Sequence, residues 1–271
     1  MAGKHTTIAD TLADALIEDI LSGHYRVGER LPSERDLAAR FEANRGAVRE
    51  AMKKLDQLGL ASIGPGGARV NAIQQASLDI VGNLMARGDL PDAELVDQIL
   101  TVISSLTAIA AEGAVTNGTD EQLAHIRTLI APLTDPALDE NAGHSFDEDA
   151  HQAARFALMQ AIMLTSGNLI CQLIARTLFE QFAPAMEPLR EYTQGQLDVE
   201  AYTTYARQLD RAVAARDIPA MRATFEAFSN LNRKTLMQGL KVARASTKRS
   251  PTNSTIKSTG PASNNDVKVA L

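Results

Sequence analysis

The sequence predicts a mainly α protein in two parts, an N-terminal winged helix-turn-helix domain with a small β-hairpin and a C-terminal all-α helical bundle. Three observations lead to this prediction. Residues 30–70 hold two short amphipathic segments, a polar turn between them, and a Gly-rich turn after them. Residues 71–243 repeat Ala and Leu at helical spacing, with few strand signals. The two parts also differ in charge.

Charge and composition limit the classes of protein that the chain can represent. Its 271 residues are 45% apolar and carry a net charge of −6, which suits packed domains. Residues 1–70 hold 10 Lys and Arg against 10 Asp and Glu, whereas residues 71–240 hold 11 against 22. A neutral unit joined to an acidic body excludes a protein that coats nucleic acid along its whole length.

Targeting and redox signals are weak. The N-terminus lacks a signal pattern, and Thr and Ser interrupt the longest apolar stretch, residues 99–111, so we expect a cytoplasmic protein with no membrane partner. The single Cys171 lies in an apolar helical pattern, which predicts an inert buried thiol.

Apolar periodicity and capping residues predict the first three helices. Apolar residues at a period near 3.6 predict a helix over Thr7–Ser22. Ser33 is the predicted N-cap of a short helix that ends at Phe41, because an acid follows it three residues later. Asn44 is the predicted N-cap of a third helix, Arg45–Leu58.

The third helix has two contrasting faces and is followed by a hairpin. Its apolar face consists of Val48, Met52 and Leu55, and its basic face consists of Arg45, Arg49 and Lys53. Short strands are predicted at Leu60–Ile63 and Ala68–Val70, joined by the turn at residues 64–67. One helix face is therefore expected to pack, and the other to enter a groove.

The elements PSERDLA and R-x-x-V-R-E-A-x-x-x-L, followed by GPGGARV, resemble the N-terminal domain of the GntR family of bacterial transcription regulators over roughly residues 8–71. The resemblance implies that four residues contact DNA: Arg35, Arg45, Arg49 and Gly66. Pro65 and Ala68 depart from the polar or basic residues that are common in the family's wing, so direct contacts from the wing to bases are not expected.

Physical chemistry agrees with these assignments. Arginine presents a planar fork that bonds to guanine O6 and N7, and the N-terminal part of a recognition helix is the part that reaches base edges. Arg45 and Arg49 are therefore the expected base-reading residues. Lys53 and Lys54 lie further along the helix and are expected to meet phosphate or water.

The alternative for this basic face is a solvated helix surface that makes only local ion pairs. Arg45 would then pair with Glu42, and Arg49 with Glu50 or Asp56.

Seven helical segments are predicted after the hairpin: 76–87, 92–115, 119–130, 145–165, 168–190, 199–216 and 219–242. The breakers between them include residues 88–91, Asn117-Gly118 and residues 132–143. The predicted domains are residues 1–71 for DNA binding, 72–88 as linker and first helix, 89–243 as effector-binding and dimerisation domain, and 244–271 as a disordered polar tail.

The second part is similar in pattern to the ligand-binding domain of the FadR subgroup of the same family, through ARVNAIQQASLDIVGNLMAR, Ser166-Gly167-Asn168 and AVAARDIPAMRATFEAF. The regulator in this subgroup that senses long-chain acyl-CoA is similar through the first of these stretches. The resemblance implies a homodimer that binds a small effector, either an organic acid or a fatty acyl-CoA.

Many members of that subgroup bind a metal through an Asp, a His four residues later, and two further His. Asp147 and His151 have that first spacing, but counting back from Ser166 puts the family positions at Arg155 and Met159, and no His follows residue 151. We therefore expect no metal and no cofactor, with Asp147 and His151 at a solvated helix start.

Arg155 suggests a different means of binding an anion. Its fixed positive charge inside the bundle would bind a carboxylate or phosphate directly, with Met159 and Asn168 as further expected effector contacts. The alternative for Arg155 is an internal salt bridge. Met159, Met163 and Met186 are core filler or the lining of a cavity for acyl chains.

The expected function is a sequence-specific transcription regulator, a repressor on family grounds, that binds palindromic double-stranded operator DNA as a homodimer under the control of a small anionic effector. An enzyme is not expected, because no nucleophile with a base, P-loop or G-x-G-x-x-G is present. Two alternatives stay open: a non-specific architectural DNA-binding protein, which the acidic body disfavours, and a regulator whose helical domain only dimerises.

Overall fold

The computed structural model describes residues 7–134, 148–193 and 195–247. The N-terminal part consists of α1 (Ile8–Leu21), α2 (Glu34–Arg40), α3 (Arg45–Gln57), β1 (Ala61–Gly64) and β2 (Gly67–Val70). A short helix, α4 (Val81–Met85), leads to the second part. That part consists of α5 (Ala93–Asn117), α6 (Asp120–Thr134), α7 (Glu148–Thr165), α8 (Leu169–Met186), α9 (Arg190–Thr193), α10 (Val199–Ala214) and α11 (Ile218–Thr247). The predicted fold class is confirmed.

Side-chain caps begin the first three helices where the sequence predicts them. Thr7 forms a capping box with Asp10, whose backbone N–H donates to Thr7 Oγ1 at 3.1 Å. Ser33 Oγ accepts from the Asp36 backbone N–H at 3.3 Å. Asn44 Oδ1 accepts from the Ala47 backbone N–H at 2.8 Å. Each cap satisfies a backbone donor that helical hydrogen bonding leaves without a partner, which fixes the helix starts.

The hairpin pairs β1 with β2 in antiparallel register, with Ile63 opposite Ala68 and Gly64 opposite Gly67. The segment before α2 also bonds to the hairpin, because the backbone N–H of Leu31 donates to the Ala68 carbonyl oxygen at 2.9 Å. Ala68 is buried against the helices, so the wing is fixed to the domain by its second strand. The turn at Pro65 and Gly66 projects from that attachment.

The N-terminal core is built from the inner faces of the three helices and the hairpin. Leu16, Leu37, Val48 and Leu55 are fully buried in it. Burial of these side chains supplies most of the free energy that holds the short helices together, because α2 has only seven residues. The apolar face predicted for α3 is therefore confirmed.

The linker differs from its predicted form. A single helix was expected over residues 76–87, but 3₁₀ turns occupy Ile73–Gln75 and Leu78–Ile80, and α4 holds only Val81–Met85. Adjacent residues of this short segment are buried in two different apolar cores. Ile80 is buried in the N-terminal core, whereas Val81 is buried in a cluster of the helical part.

The helical part departs from the predicted boundaries at three places. Helix α6 continues through Pro132, which lies in its last turn, to Thr134. A 3₁₀ turn at Glu187–Leu189 divides the segment predicted as one helix, because Pro188 has no backbone N–H to continue α-helical bonding. Helix α11 runs to Thr247, so the first four residues assigned to the polar tail are helical. The rest of that tail, residues 248–271, lies outside the described residues.

Helix α5 is long and apolar enough to cross a membrane by length and composition alone. In this fold it packs against α7, α8 and α11. Its buried residues belong to two apolar clusters of the bundle and include Val96, Ile99, Ala110 and Ala114. About a third of its apolar window is buried.

Candidate DNA-binding surface and effector cavity

The basic face predicted for α3 is exposed. Arg45 and Arg49 stand on the first two turns of the helix, while Val48 between them is fully buried. The side chain of Arg49 is 65% exposed. The helix thus presents two guanidinium groups at the end that enters a groove in helix-turn-helix docking.

Arg49 makes a specific contact that the sequence did not indicate. Its Nε lies 2.9 Å from Oε2 of Glu34, the first residue of α2. The expected alternative pairings are different, because Glu50 pairs with Lys53 at 2.9 Å and Asp56 accepts a hydrogen bond from the Ile63 backbone N–H at 3.3 Å. In the described part of the chain Arg45 has no ion pair.

Two further residues expected at DNA flank this helix. The Arg35 side chain is 81% exposed at the start of α2, at 3.7 Å from Asp36. Gly66 is exposed at the tip of the hairpin, and a Cβ added there would meet nothing within 4 Å. Lys54 differs from its expected role, because its Nζ lies 3.5 Å from Asp10 and 3.4 Å from Asp14 on α1. It therefore ties α3 to α1.

A second ion pair connects α2 to α1 inside the N-terminal domain. Arg40 Nη1 lies 2.8 Å from Oδ2 of Asp19 and donates to the Tyr25 hydroxyl at 3.0 Å. The hydrogen bond to Asp19 raises the pKa of Arg40 above its usual range. These contacts join the end of α2 to α1, and they leave Arg40 with a structural role.

The helical part encloses a cavity of about 830 Å³, within the usual size range of small-molecule sites. Its apolar wall includes six large side chains: Phe156, Met159, Phe179, Phe182, Met186 and Phe228. Helices α5, α7, α8, α10 and α11 all contribute residues to the lining.

Arg155 lies in the cavity wall, and none of the described carboxylates pairs with it. Its guanidinium carbon stands 5.0 Å from the centre of the Tyr202 ring, a cation–π contact. Among the described residues no acid lies within ion-pair distance of it, so the alternative of an internal salt bridge is not observed there. The cavity therefore contains a permanent positive charge that is only partly buried.

Polar side chains on α5 and α11 form a second part of the lining. Ser104 on α5 and Ser229 on α11 share a hydrogen bond between their hydroxyl groups. Asn232, one turn further along α11, also lines the cavity, and its Oδ1 has no hydrogen-bond partner within the described ranges. An effector with hydroxyl or carbonyl groups in addition to its anion would find partners here.

His151 is buried in the same wall, which corrects the expected solvated helix start. It is only 5% exposed, and its ring packs edge-on against Tyr202 with centroids 4.8 Å apart. Burial, and then the charge of Arg155, lowers the pKa of His151 from 6.5 to about 4. Asp147, the other residue expected at that solvated helix start, lies outside the described residues. Within those residues no group of three His, Cys, Asp or Glu is placed to hold a metal ion.

The other expected effector residues separate in space. Met159 lines the cavity with Arg155, as expected from their spacing of four on α7. Asn168 does not line it, because this residue is the N-cap of α8 and its Oδ1 accepts from the Cys171 backbone N–H at 3.0 Å. Cys171 is buried, and burial raises the pKa of its thiol, as predicted for an inert cysteine.

Sequence reasoning missed Tyr202, Ser104, Ser229 and Asn232 as cavity residues. They come from three helices far apart in the chain, so no local pattern connects them. Tyr202 alone gave a signal, since a tyrosine on the inner face of an amphipathic helix needs a polar neighbour for its hydroxyl group.

Comparison with known proteins assigns the N-terminal domain. Residues 8–70 match the profile described as "Bacterial regulatory proteins, gntR family". These residues hold α1, α2, α3 and both strands, including Arg35, Arg45, Arg49 and Gly66. The resemblance stated from the sequence is confirmed.

Similar curated proteins extend the match into the helical part. An uncharacterized HTH-type transcriptional regulator of Mycobacterium tuberculosis is 29% identical over 224 residues, 82% of this chain and 85% of that protein. The fatty acid metabolism regulator protein of Shewanella halifaxensis is 29% identical over 59% of this chain and 62% of its own. The HTH-type transcriptional repressor NanR of Edwardsiella tarda is 34% identical over 50% of this chain and 52% of its own. All three are regulators, in agreement with the prediction that the chain is not an enzyme.

A solved structure supports the fold as a whole. The Listeria monocytogenes protein Lar, described as controlling the expression of the agr system, superposes with a TM-score of 0.53 at 17% identity. The superposition covers 89% of this chain and 100% of that chain. The similarity extends across both parts and shows a shared fold.

Proposed function

We infer that this chain, whose residues 8–70 form a domain of the gntR family of bacterial regulatory proteins, is a sequence-specific transcription repressor of the FadR subgroup that acts in the cytoplasm. The observation that carries the proposal is the exposure of Arg45 and Arg49 on the first two turns of α3, opposite a buried apolar face. These two residues read base edges, Arg35 binds the DNA backbone, and Gly66 brings the wing close to phosphate. Repression is supported by the name of the Edwardsiella relative.

The proposed effector is a small anionic metabolite that occupies the cavity of the helical part. Arg155 supplies the positive charge, and its only partner among the described groups is an aromatic face, so an anion can bind it without displacing a carboxylate. The Phe and Met side chains fit an acyl chain or the carbon skeleton of an organic acid. The name of the Shewanella relative favours a fatty acid derivative over other organic acids.

Two copies of the chain bind one operator in this proposal. Symmetric recognition helices read two half-sites, which makes the operator palindromic. The effector alters operator affinity because it binds more tightly to one arrangement of the two reading domains than to the other.

Operator binding is tested with the full-length protein and a labelled fragment of the intergenic DNA upstream of its own gene, in an excess of non-specific DNA. The proposal expects retained binding and a protected palindrome in a footprint. Uniform binding to all DNA would instead assign the chain to the architectural class, and absence of binding at every salt concentration would overturn the proposal.

Effector binding is tested by thermal unfolding of the protein with a panel of organic acids, fatty acids and acyl-CoA thioesters. An occupant of the cavity is expected to raise the unfolding temperature of the wild type, and the Arg155→Gln variant is expected to lose that shift. Arg211→Gln, on the exposed side of α10, is the matched control and should keep it. No shift with any anion would support a helical domain that serves dimerisation alone, and an equal shift in both variants would show that Arg155 does not hold the effector.

A further inference from the structure

The outer part of the wing has no charged side chain of its own. Residues 61–68, which form β1, the turn and the start of β2, contain none. Gly66 at the tip therefore offers DNA only backbone groups. A positive charge at this end of the wing has to come from a neighbouring segment.

The segment before α2 brings such a charge to the wing. Arg30 lies opposite Arg69 of β2 in an antiparallel bridge. The backbone hydrogen bonds on either side, 2.9 and 3.0 Å long, join the residues before and after the two arginines and not the arginines themselves. In this type of pair the side chains come closest, with Cα atoms about 4.5 Å apart. Like charges directly opposite each other destabilise a sheet, so the arrangement is unfavourable unless an anion offsets it.

The two guanidinium groups point in opposite directions along the sheet. A Cβ added to Gly67 would lie 2.8 Å from Nε and 3.0 Å from Nη2 of Arg30, so this guanidinium rests on the bare backbone of the glycine. The Arg69 side chain extends the other way, and its Nη1 donates to the Gly28 carbonyl oxygen at 3.0 Å. The charge of Arg30 is thereby held beside Gly66.

No described carboxylate neutralises this charge. Arg30 and Arg69 are both exposed, and within the described ranges neither makes an ion pair. Glu29 is the acid next to Arg30 in the chain, but its Oε2 accepts from the Arg26 backbone N–H at 2.8 Å. The guanidinium on Gly67 is therefore available to an anion from outside the chain.

Arg30 also lies at a suitable distance from the reading helix. It stands four residues before Glu34, whose carboxylate bonds to Arg49 on α3. A segment of that length spans at most about 14 Å. The major groove of DNA is about 12 Å wide, so a group at this distance from α3 meets the sugar–phosphate strand at the edge of the groove.

We propose that Arg30 is a DNA contact of this protein, and that its guanidinium, held on Gly67, binds a phosphate of the strand that borders the groove read by α3. The inference rests on the proposed binding of operator DNA. It identifies a charged residue from outside the hairpin that supplies what residues 61–68 lack. Because a phosphate contact positions the protein without reading sequence, Arg30 should contribute equally on every DNA.

The first test measures the salt dependence of binding. Full-length wild type and Arg30→Gln are titrated by fluorescence anisotropy onto the operator fragment and onto a non-specific duplex, over a series of salt concentrations. Loss of one phosphate contact should lower the slope of log K against log salt by about 0.9 on both DNAs. Affinity should fall roughly five- to tenfold on both, with their ratio unchanged. An unchanged slope, or a lower ratio of operator to non-specific affinity, overturns the phosphate contact.

Arg69→Gln is the matched control. It removes the same charge from the same face of the sheet, but its guanidinium is directed towards Gly28 and away from the tip. This variant should keep the wild-type slope. An equal fall in Arg30→Gln and Arg69→Gln would show that only the summed charge of the wing matters, and would overturn a specific contact from Arg30.

A second test locates the phosphate. Operator DNA with randomly ethylated phosphates is divided into bound and free fractions by the wild type and by Arg30→Gln. Ethylation at one phosphate at the edge of each half-site should interfere with the wild type and no longer with the variant, while the other positions stay the same. Identical interference patterns would contradict the proposal.

A third test uses the glycine on which the guanidinium rests. A Cβ in Gly67→Ala should displace the Arg30 side chain and lower the salt slope as Arg30→Gln does, and the double variant should show no further fall. Gly67 has φ +96°, so Gly23→Ala, with φ +81° and open space around it, is the control for backbone strain and should keep the slope. A wild-type slope in Gly67→Ala, or two falls that add in the double variant, would separate Arg30 from this position and overturn the proposal.

The non-specific duplex lets this inference and the proposed function fail separately. A wild type that binds every DNA equally, with a lower slope in Arg30→Gln, supports the phosphate contact and overturns the sequence-specific regulator. A wild type that protects a palindrome, with an unchanged slope in Arg30→Gln, overturns the phosphate contact alone. A wild type that binds no DNA overturns both.

Discussion

Glu34 and Arg49 join the two helices of the helix-turn-helix, with Arg49 Nε 2.9 Å from Oε2 of Glu34. The pair connects the first residue of α2 to the second turn of α3, and both side chains are substantially exposed. In water such a pair contributes little to stability. Its value lies in orientation, because a carboxylate that holds one edge of a guanidinium restricts the directions in which the other edge can point.

Removal of the Glu34 charge should therefore reduce specificity more than affinity. In Glu34→Gln we expect non-specific DNA to bind about two- to fivefold more tightly, because one negative charge leaves the surface that meets phosphate. The ratio of operator to non-specific affinity should fall, because Arg49 loses its orientation. Fluorescence anisotropy with both DNAs at one salt concentration measures the ratio. Glu50→Gln, which frees only Lys53, is the control, and an unchanged ratio in Glu34→Gln would contradict the orienting role.

Truncation of Arg49 should cost binding at one base pair. Arg49→Ala is expected to weaken operator binding by roughly 1–3 kcal/mol and to relax the preference at a single position, because a bidentate contact to a base is lost. Binding to a set of operators mutated one base pair at a time locates that position. Arg211→Ala removes the same charge from the helical part and should leave the profile intact. Unchanged operator affinity in Arg49→Ala would show that α3 is not the reading helix.

Substitution of Gly59 by Ala should destabilise the protein more than the same substitution at Gly23, although both glycines have a positive φ. Gly59 has φ +70°, and a Cβ there would lie 2.4 Å from the carbonyl oxygen of Gln75. Gly23 has φ +81° and open space around it. Gly23→Ala should therefore cost about 1–2 kcal/mol of stability from backbone strain alone, and Gly59→Ala more than about 3 kcal/mol. Urea unfolding followed by circular dichroism compares them, and equal losses would argue against the close contact with the linker.

The buried His151 should make the helical part sensitive to acid. Its pKa in the folded chain is about 4, below the ordinary 6.5, so the unfolded chain takes up the proton first as pH falls. The free energy of unfolding should then decrease by about 2–3 kcal/mol between pH 6.5 and pH 4, with no further loss from this group below pH 4.

Denaturant unfolding over this pH range, in the wild type and in His151→Gln, isolates the contribution of that side chain. In His151→Gln the free energy of unfolding is expected to depend less steeply on pH, because the contribution of this side chain is lost. His125→Gln, at an exposed position on α6, should keep it. The same slope in all three proteins would mean that other groups cause the acid sensitivity.

Sequence patterns predicted the features that depend on neighbours within one turn of helix. Ser33 and Asn44 were recognisable as caps because the acceptor side chain and the backbone donor lie within three residues. Arg155 and Met159 were placed together because four residues separate them on one helix. In each case local geometry decides the outcome.

The features that were missed depend on tertiary packing. Glu34 and Arg49 are 15 residues apart and meet only after the turn has folded. Tyr202 meets Arg155 and His151 across two helices whose relative position no local spacing fixes. Asn168 was expected at the effector, and the structure shows that the same amide starts a helix, a role that its place after Gly167 also suits.

The two adjacent residues Ile80 and Val81 also limit how the protein can be divided. Ile80 is buried with the helices that carry Arg49, and Val81 with the wall that carries Phe182. A DNA-binding fragment that ends at residue 71 would lack Ile80, a side chain of its own core. A fragment that folds independently should therefore extend at least through Ile80. A fusion of the DNA-binding domain to a different effector-binding domain would have to keep the junction between Ile80 and Val81, because no flexible linker separates the two cores.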